Sequence, residues 1–460
     1  MYLQMNRQSL IMAKGETGKH AFRLPTHVKK ATSEICYHLA INIAVLALLC
    51  LSFVPASQAA EKLGLKEAVS TAIKGNPDLS ALNARFDAFK NIPSQEASLP
   101  DPILSFNALN LPVDTFSLDQ EAMTQMQVKL TQKVPFPGKL SLKETAAIKE
   151  RDGLRYRIEE LKQTIASRVA QEWWELFYLA KAISIVETNQ KYLQEMVEVA
   201  RSRYEVGKGL QPDVLLAQVE LTNLFNLQAE LRGRSEETSS RLARLMGMAD
   251  HSIPDIDLSC KVSLPAPPDV SRLVKRAKAK RPLLMEKEKQ VEAAQARLEL
   301  ARKGYMPDFT LGAAYGFRQD APQGMERPDF ASFMVAVNIP IWAGSKQSRR
   351  ISQKDMELAE KRRLYQSAVE QMWQQISGAA AIYKSNYRQS ALYRDAVIPQ
   401  ARQTLASMLA AYQVGKVDFL NVIRARLALL KYERRYWRSV TNAMKALARI
   451  RAASGTYEDI

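Results

Sequence analysis

The side chains that most often perform chemistry in proteins are scarce in this sequence of 460 residues. Once a predicted signal peptide is removed, His251 and Cys260 are the single histidine and the single cysteine that remain. A metal site needs several such ligands at close spacing, so none is expected. The sequence contains no Gly-rich phosphate loop and no G-x-S-x-G elbow, and its paired acids follow helical patterns, as at Glu159-Glu160. We therefore predict no catalytic residues, no metal, no cofactor and no enzymatic activity.

Residues 1–59 are predicted to be a signal peptide. A basic flank precedes an apolar run from Leu39 to Val54, and small residues follow, with cleavage expected after Ala59. An uncleaved N-terminal anchor is the alternative. The formal net charge is +17; six Lys or Arg and two Asp or Glu lie in residues 1–59, which leaves +13 for the mature chain. An exported chain rarely meets nucleic acid, so the cations are interpreted as solvated helix faces and no nucleic-acid partner is expected.

The mature chain contains an internal repeat. The segment Tyr204-Glu205-Val206-Gly207-Lys208 recurs 208 residues later as Tyr412-Gln413-Val414-Gly415-Lys416. Three prolines recur 205 residues later: Pro77, Pro102 and Pro135 correspond to Pro282, Pro307 and Pro340. Repeats should be sought before single elements, because they define the folding unit. We divide the chain into a signal peptide at 1–59, a first repeat at 60–248, a Pro-rich linker at 249–268, a second repeat at 269–455 and a tail at 456–460.

Each repeat is predicted to hold two shorter helices, two strands, a very long helix and a final helix. In the first repeat the shorter helices are expected at about 65–75 and 78–96. The strands alternate apolar residues with small or polar ones over about ten residues, as in 309–318, which is typical of transmembrane β-strands. The stretch from Ser141 to about Val206 lacks proline and has a coiled-coil seam, which predicts a helix roughly 100 Å long. Its counterpart is expected from about Ser345 to Val414, with a kink at Pro399.

The strand-to-helix junctions carry residues that end a strand. Pro135 and Pro137 cannot donate to a strand ladder and Gly138 tolerates a sharp turn, so the first pair of strands is expected to end there. Pro340 and Gly344 are expected to do the same in the second repeat.

Four membrane strands cannot close a barrel, because the smallest outer-membrane barrels use about eight. An open sheet in lipid would leave backbone groups unpaired, so copies of the chain must share a barrel. Two copies supply eight strands and three supply twelve, and this arithmetic does not choose between them. The long helices must extend through the periplasm.

The duplicated order of helices, strand pair, long helix, Y-x-V-G turn and final helix resembles the TolC-type outer-membrane efflux family over essentially the whole mature chain. The motifs that carry the resemblance are the two turn segments and Val134-Pro135-Phe136-Pro137-Gly138-Lys139. The resemblance implies a homotrimer with a twelve-stranded β-barrel in outer-membrane lipid and an α-helical tube in the periplasm. It also implies a passive efflux channel that works with a periplasmic adaptor and an inner-membrane transporter. The junction motif resembles the branch that serves heavy-metal cation pumps.

The tips of the two helical hairpins are the candidate functional site, both as turns and as adaptor contacts around an aperture. Family members often carry acids just after the second tip, whereas the matching positions here are Asn421 and Arg424, so a cation-selecting ring is in doubt. A periplasmic coiled-coil scaffold or adaptor is the alternative function. The candidate tip residues are Tyr204, Val206, Gly207, Lys208, Asp213, Tyr412, Val414, Gly415, Lys416, Asp418, Asn421 and Arg424.

Overall fold

The computed structural model describes residues 62–248, 252–260 and 262–457. The predicted signal peptide and His251 lie outside the described residues. In the first repeat three helices precede the strands: α1 (Leu65–Gly75), α2 (Pro77–Lys90) and α3 (Ile92–Ala97). Strands β1 (Ile103–Leu109) and β2 (Gln125–Val134) lead into the long helix α4 (Lys139–Glu205), and α5 (Gln211–Met246) returns from its far end.

The second repeat has the same order of elements. Helices α6 (Val270–Lys280) and α7 (Pro282–Arg302) precede strands β3 (Phe309–Phe317) and β4 (Phe330–Val337). The long helix is divided into α8 (Gln347–Leu392), a π-helical turn (Tyr393–Val397) and α9 (Ile398–Gln413), and α10 (Phe419–Ser454) returns from the tip.

The four strands form one antiparallel sheet in the order β1-β2-β3-β4. Cross-strand partners share a face, and the row of Leu104, Leu130, Ala313 and Phe333 is apolar, whereas the adjacent row of Ser105, Lys129, Ala314 and Ser332 is polar or small. The apolar face is exposed in the single chain, where Phe333 is 87% exposed. The predicted alternation is therefore present on every strand, and β1 and β4 are open edges.

Among the described residues, most core clusters lie within one repeat, and others join helices of both repeats. Trp173 and Trp174 are buried and pack with Phe177, as expected for residues between helices. The Trp173 indole also donates to the carbonyl oxygen of Leu63 at 3.0 Å. The helical spacing of Trp173, Trp174 and Trp373 predicts packing between tube helices; in the single chain Trp373 is 54% exposed and lies beside α6. Helical periodicity identified its face of α8 without revealing whether another element covers that face.

The two repeats cap their second helices differently. Asn76 caps α2 locally, because its side-chain oxygen accepts from the backbone N–H groups of Asp78 and Leu79 at 3.0 and 3.2 Å. Arg281 holds the equivalent position before α7 and has no acceptor to offer. There, Glu160 of α4 accepts from the backbone N–H of Leu283 at 3.2 Å and pairs with the buried Arg281 guanidinium at 2.8 Å. The cap of α7 therefore comes from the first repeat.

Two helix predictions need correction. The helix expected at 78–96 is two helices, since α2 ends at Lys90 and α3 begins at Ile92, with Pro93 in its first turn. The irregularity predicted at Pro399 begins earlier, as the π-helical turn over Tyr393–Val397. Pro399 has no N–H to donate and its ring crowds the preceding turn, so the altered hydrogen bonding falls before the proline. Among the described helices, none is long and apolar enough to cross a membrane.

Candidate functional site: hairpin tips and strand-to-helix junctions

The two hairpin tips have the same backbone geometry. After α4, the N–H of Lys208 donates to Arg203 O at 2.8 Å and the N–H of Gly207 to Tyr204 O at 3.0 Å. After α9, the N–H of Lys416 donates to Ala411 O at 2.9 Å and the N–H of Gly415 to Tyr412 O at 3.1 Å. These paired bonds form a Schellman motif, which requires a left-handed residue. Gly207 and Gly415 supply it, with φ of +71° and +72°.

The tips contact each other through Arg203, which the sequence did not identify. The guanidinium of Arg203, in the first tip, lies 4.6 Å from the centre of the Tyr412 ring in the second. The Tyr412 ring also packs on Phe419 at 5.6 Å, which anchors it at the start of α10. Burial raises the pKa of Asp213 and the Asp418 carboxylate raises it further, whereas Arg203 opposes the shift. The structure therefore brings Tyr412 against Arg203, and Asp213 near both Arg203 and Asp418.

Both tips expose apolar side chains. Val206 is 65% exposed and Val414 is 68% exposed, and Tyr204 and Leu210 are also exposed. The charged residues Lys208, Lys416 and Asp418 lie in the same turns, and Arg424 lies in the second turn of α10; all four are exposed, while Asn421 is half-buried. An apolar patch with a polar rim is typical of a protein-binding surface.

The first junction is held by residues from both repeats. Strand β2 ends at Val134 and α4 begins at Lys139, after Pro135, Pro137 and Gly138, whose φ is +85°. Lys139 Nζ donates to an Asp308 carboxylate oxygen at 2.7 Å, and the Phe136 N–H donates to the same oxygen at 3.0 Å. Burial acts to raise the pKa of Asp308, but these hydrogen bonds hold it below its usual value.

The second junction is built differently from the expectation. Strand β4 ends at Val337, before Pro340, and α8 begins at Gln347 after a turn over 341–346. Gly344 is not among the glycines with positive φ, and a side chain at this position would meet nothing within 4 Å. Gly344 therefore does not play the part of Gly138. A six-residue turn spreads the change of direction over several residues, so no left-handed residue is needed.

Of the two residues on which the metal prediction rested, Cys260 is described and His251 is not. Within 62–248, 252–260 and 262–457, no group of three or more His, Cys, Asp or Glu side chains is arranged to hold a metal ion. Cys260 is an exposed free cysteine.

A membrane-type sheet at one end of a duplicated chain, with long helical hairpins at the other end, defines an outer-membrane channel subunit. The family model described as "Outer membrane efflux protein" matches residues 68–248 and 273–456, one match in each repeat. The chain therefore belongs to the outer membrane efflux protein family.

Individual relatives are distant in sequence. The chain is 24% identical over 292 residues to the outer membrane efflux protein BepC of Brucella suis, a match that covers 62% of the chain and 60% of BepC. It is 21% identical over 381 residues to the cobalt-zinc-cadmium resistance protein CzcC of Cupriavidus metallidurans, covering 82% of the chain and 87% of CzcC. It is 20% identical over 353 residues to the outer membrane protein TolC of Escherichia coli, covering 73% of the chain and 70% of TolC.

Solved structures share the fold. The outer membrane protein VceC of Vibrio cholerae superposes with a TM-score of 0.71 at 18% identity, covering 85% of the chain and 96% of VceC. The open-state channel MtrE of Neisseria gonorrhoeae superposes with a TM-score of 0.71 at 16% identity, covering 85% of the chain and 89% of MtrE. The predicted duplicated channel fold is confirmed.

Family membership also confirms the predicted class: an efflux channel subunit of the outer membrane that extends into the periplasm and is not an enzyme. It favours this class over a periplasmic scaffold. The roles of individual residues at the tips and junctions stay predictions. Arg203 and Asp308 escaped sequence analysis because their partners are more than 150 residues away along the chain, so no local pattern marks them.

Proposed function

We propose that three copies of this chain form a passive exit duct through the outer membrane. In this assembly each copy contributes four strands to a twelve-stranded barrel and four long helical segments to a periplasmic tube. A periplasmic adaptor and an inner-membrane transporter deliver solutes to the tube, and the transporter supplies the energy. The tips form the aperture and contact the adaptor.

The observation that carries the proposal is the four-stranded sheet with an exposed apolar face and two open edges. In lipid, an open edge leaves backbone donors and acceptors unpaired at several kcal/mol each. Pairing β1 of one copy with β4 of the next removes that cost and covers both edges. Helix α4 has 67 residues and so extends about 100 Å from the sheet.

The tips support the adaptor role because their exposed valines, Val206 and Val414, belong to no core cluster of the described residues. Val206 and Val414 stand at equivalent positions in the two repeats, both exposed, beside Lys208 and Lys416. Exposed apolar side chains on a turn add nothing to the stability of the single chain, so a partner that covers them is the simplest explanation.

The test compares two substitutions on adjacent residues of β4 that face opposite sides of the sheet. Phe333→Asp places a charge in the exposed apolar row, whereas Ser332→Asp places it in the polar row. We expect the first variant to lose outer-membrane insertion, since a charge on the lipid face costs about 2–4 kcal/mol at mid-membrane for the basic residues and somewhat less for Asp. The second variant should insert normally.

The readouts are heat-modifiable migration in the outer-membrane fraction and the native mass in mild detergent. A trimer of wild type and of Ser332→Asp is the expected result. A monomer, release without detergent, or equal tolerance of both substitutions would reject the shared barrel. Deleting the side chains of Val206 and Val414 to alanine should weaken crosslinking to the adaptor while leaving the trimer intact.

A further inference from the structure

We propose that the duct carries negatively charged solutes and that a cationic face on α10 selects them. This cationic face consists of Arg424, Lys431 and Arg435. The inference rests on the proposed function, because a selecting face requires a conduit.

Helix α10 carries a large excess of positive charge. Between Phe419 and Ser454 there are nine Lys or Arg residues and one acid, Glu433. Among the described residues, only Arg438 and Lys445 of these nine have a carboxylate partner, and both pair with Glu175. Glu433 itself pairs with Arg402 of α9. Most of the positive charge on α10 is therefore not neutralised within the chain.

The three residues of the cationic face lie on one side of the helix. Their spacings of seven and four residues place them within a sector of roughly 40°, along about 16 Å of helix axis. All three side chains are exposed, and none has a hydrogen bond or ion pair to another described side chain. The opposite side of α10 is buried through Val422, Ile423, Leu429 and Leu430. The face begins near the tip, since Arg424 is in the second turn of α10.

This arrangement does not help the single chain to fold. Lys431 and Arg435 are like charges at i and i+4, a pair that destabilises a helix by a few tenths of a kcal/mol. The equivalent positions in the first repeat, 208 residues earlier, are Leu216, Asn223 and Leu227, which carry no charge. The duplicated backbone therefore does not require cations here.

In our proposal this exposed side of α10 lies on the passage, where three copies around one axis would bring nine such cations together. Charges of one sign along a low-dielectric cleft focus the field and concentrate ions of the opposite sign. Asn421 is uncharged, so no acid on this turn of α10 offsets Arg424. The same field repels metal cations. Solutes bearing carboxylate, phosphate or other anionic groups are the chemical class that this surface favours.

The first experiment measures ion selectivity of the full mature protein in planar lipid bilayers under a potassium chloride gradient. Wild type should pass chloride better than potassium. The triple variant Arg424→Glu, Lys431→Glu, Arg435→Glu should lower the chloride-to-potassium permeability ratio about tenfold. The control variant Arg232→Glu, Arg234→Glu, Arg244→Glu reverses three exposed cations on α5 and should leave the ratio unchanged.

A second experiment reads the local field without requiring current. In a Cys260→Ser background, Asn421→Cys places a reporter thiol one turn before Arg424, and anionic and cationic methanethiosulfonate reagents then compete for it. The anionic reagent should react faster, and the triple charge reversal should lower the rate ratio about tenfold.

The outcomes separate the two proposals. A current with no preference for chloride, or a preference that the triple reversal does not change, overturns the inference and leaves the duct standing. If the protein conducts no current but the anionic reagent still labels faster, the proposed duct is rejected and the cationic field on α10 is supported. Equal labelling by both reagents overturns the inference whatever the current.

Discussion

The returning helices of the two repeats, α5 and α10, share a length of 36 residues and a place in the fold but differ in charge. Helix α5 carries four Lys or Arg and five Asp or Glu, whereas α10 carries nine Lys or Arg and one acid, Glu433. Both helices bury leucine against α4, at Leu224 and Leu231 of α5 and at Leu430 of α10. The difference lies in exposed side chains, which the fold does not constrain. Duplication thus preserved the packing while the two surfaces became free to serve different partners.

A second contrast is the way each repeat caps its second helix, and it predicts the largest effect on stability. Glu160→Ala leaves Arg281 buried with only the Gln375 contact at 2.9 Å, and it removes the acceptor for Leu283 N–H. We expect a loss of about 3 kcal/mol in the free energy of unfolding. Asn76→Ala, in the first repeat, should cost about 1–2 kcal/mol, as for other N-cap residues.

Urea unfolding followed by helical circular dichroism measures both values. The double variant Glu160→Ala, Arg281→Met is the control. It should lose less free energy of unfolding than Glu160→Ala alone, because no buried guanidinium is left without a carboxylate partner. Equal costs for Glu160→Ala and Asn76→Ala would contradict the idea that the second repeat depends on the first for its cap.

The ion pairs between α4 and α10 predict the second-largest loss in the free energy of unfolding. Glu175 accepts from Arg438 at 2.7 Å and also pairs with Lys445. Burial acts to raise the pKa of Glu175, but these two partners lower it below its ordinary value. Glu175→Gln should therefore cost about 2 kcal/mol at neutral pH.

The pH dependence of this effect has a definite sign. A carboxyl group with a lowered pKa adds stability above its unfolded-state value, and that contribution is lost as pH falls through the folded-state pKa. The difference between wild type and Glu175→Gln should thus shrink below about pH 4.5. Unfolding midpoints measured between pH 7 and pH 3 provide the check; a constant difference would mean that Glu175 acts through packing alone.

Glycines distinguish the tips from the helix interiors. Gly207→Ala and Gly415→Ala should each cost about 1–2 kcal/mol, because both positions are left-handed and alanine is strained there. Gly233 lies inside α5, and a Cβ there would meet nothing within 4 Å, so Gly233→Ala should stabilise the single chain by about 1 kcal/mol. Thermal unfolding of the three variants tests the contrast, and a destabilised Gly233→Ala would show that another helix approaches this position in the assembly.

The hydrogen bond between the linker and α8 predicts the smallest loss in the free energy of unfolding. Tyr383 is buried in α8 and its hydroxyl donates to Pro265 O at 2.6 Å, which ties the linker to the second repeat. Burial, with help from Tyr387, raises the pKa of Tyr383 to about 12. Tyr383→Phe should cost about 1 kcal/mol at pH 8. The wild-type advantage should be lost as pH rises from about 10 to 12, and its persistence above pH 12 would contradict a neutral buried phenol.

Much of this architecture is local in origin and was therefore predictable. Period-two alternation set the strands, a coiled-coil seam without proline set α4, and the repeated Y-x-V-G segment set both tips. Membership of the efflux family could be inferred from the same motifs. The boundaries that failed, at Pro93 and before Pro399, fall where proline perturbs neighbouring turns, which periodicity does not register.

Partners distant along the chain were decided only by the tertiary structure. Helical patterning placed Glu160 on a solvated face, yet its carboxylate caps α7 and meets Arg281, 121 residues away. The same patterning treated the cations of α10 as surface charge beside glutamates. In the folded chain Glu433 pairs with Arg402, and Glu175 pairs with Arg438 and Lys445. Arg424, Lys431 and Arg435 therefore stay exposed without a carboxylate partner among the described residues. Local residue types fix which backbone conformations are favourable, but the balance of charges depends on which faces meet, and that is a property of the folded chain.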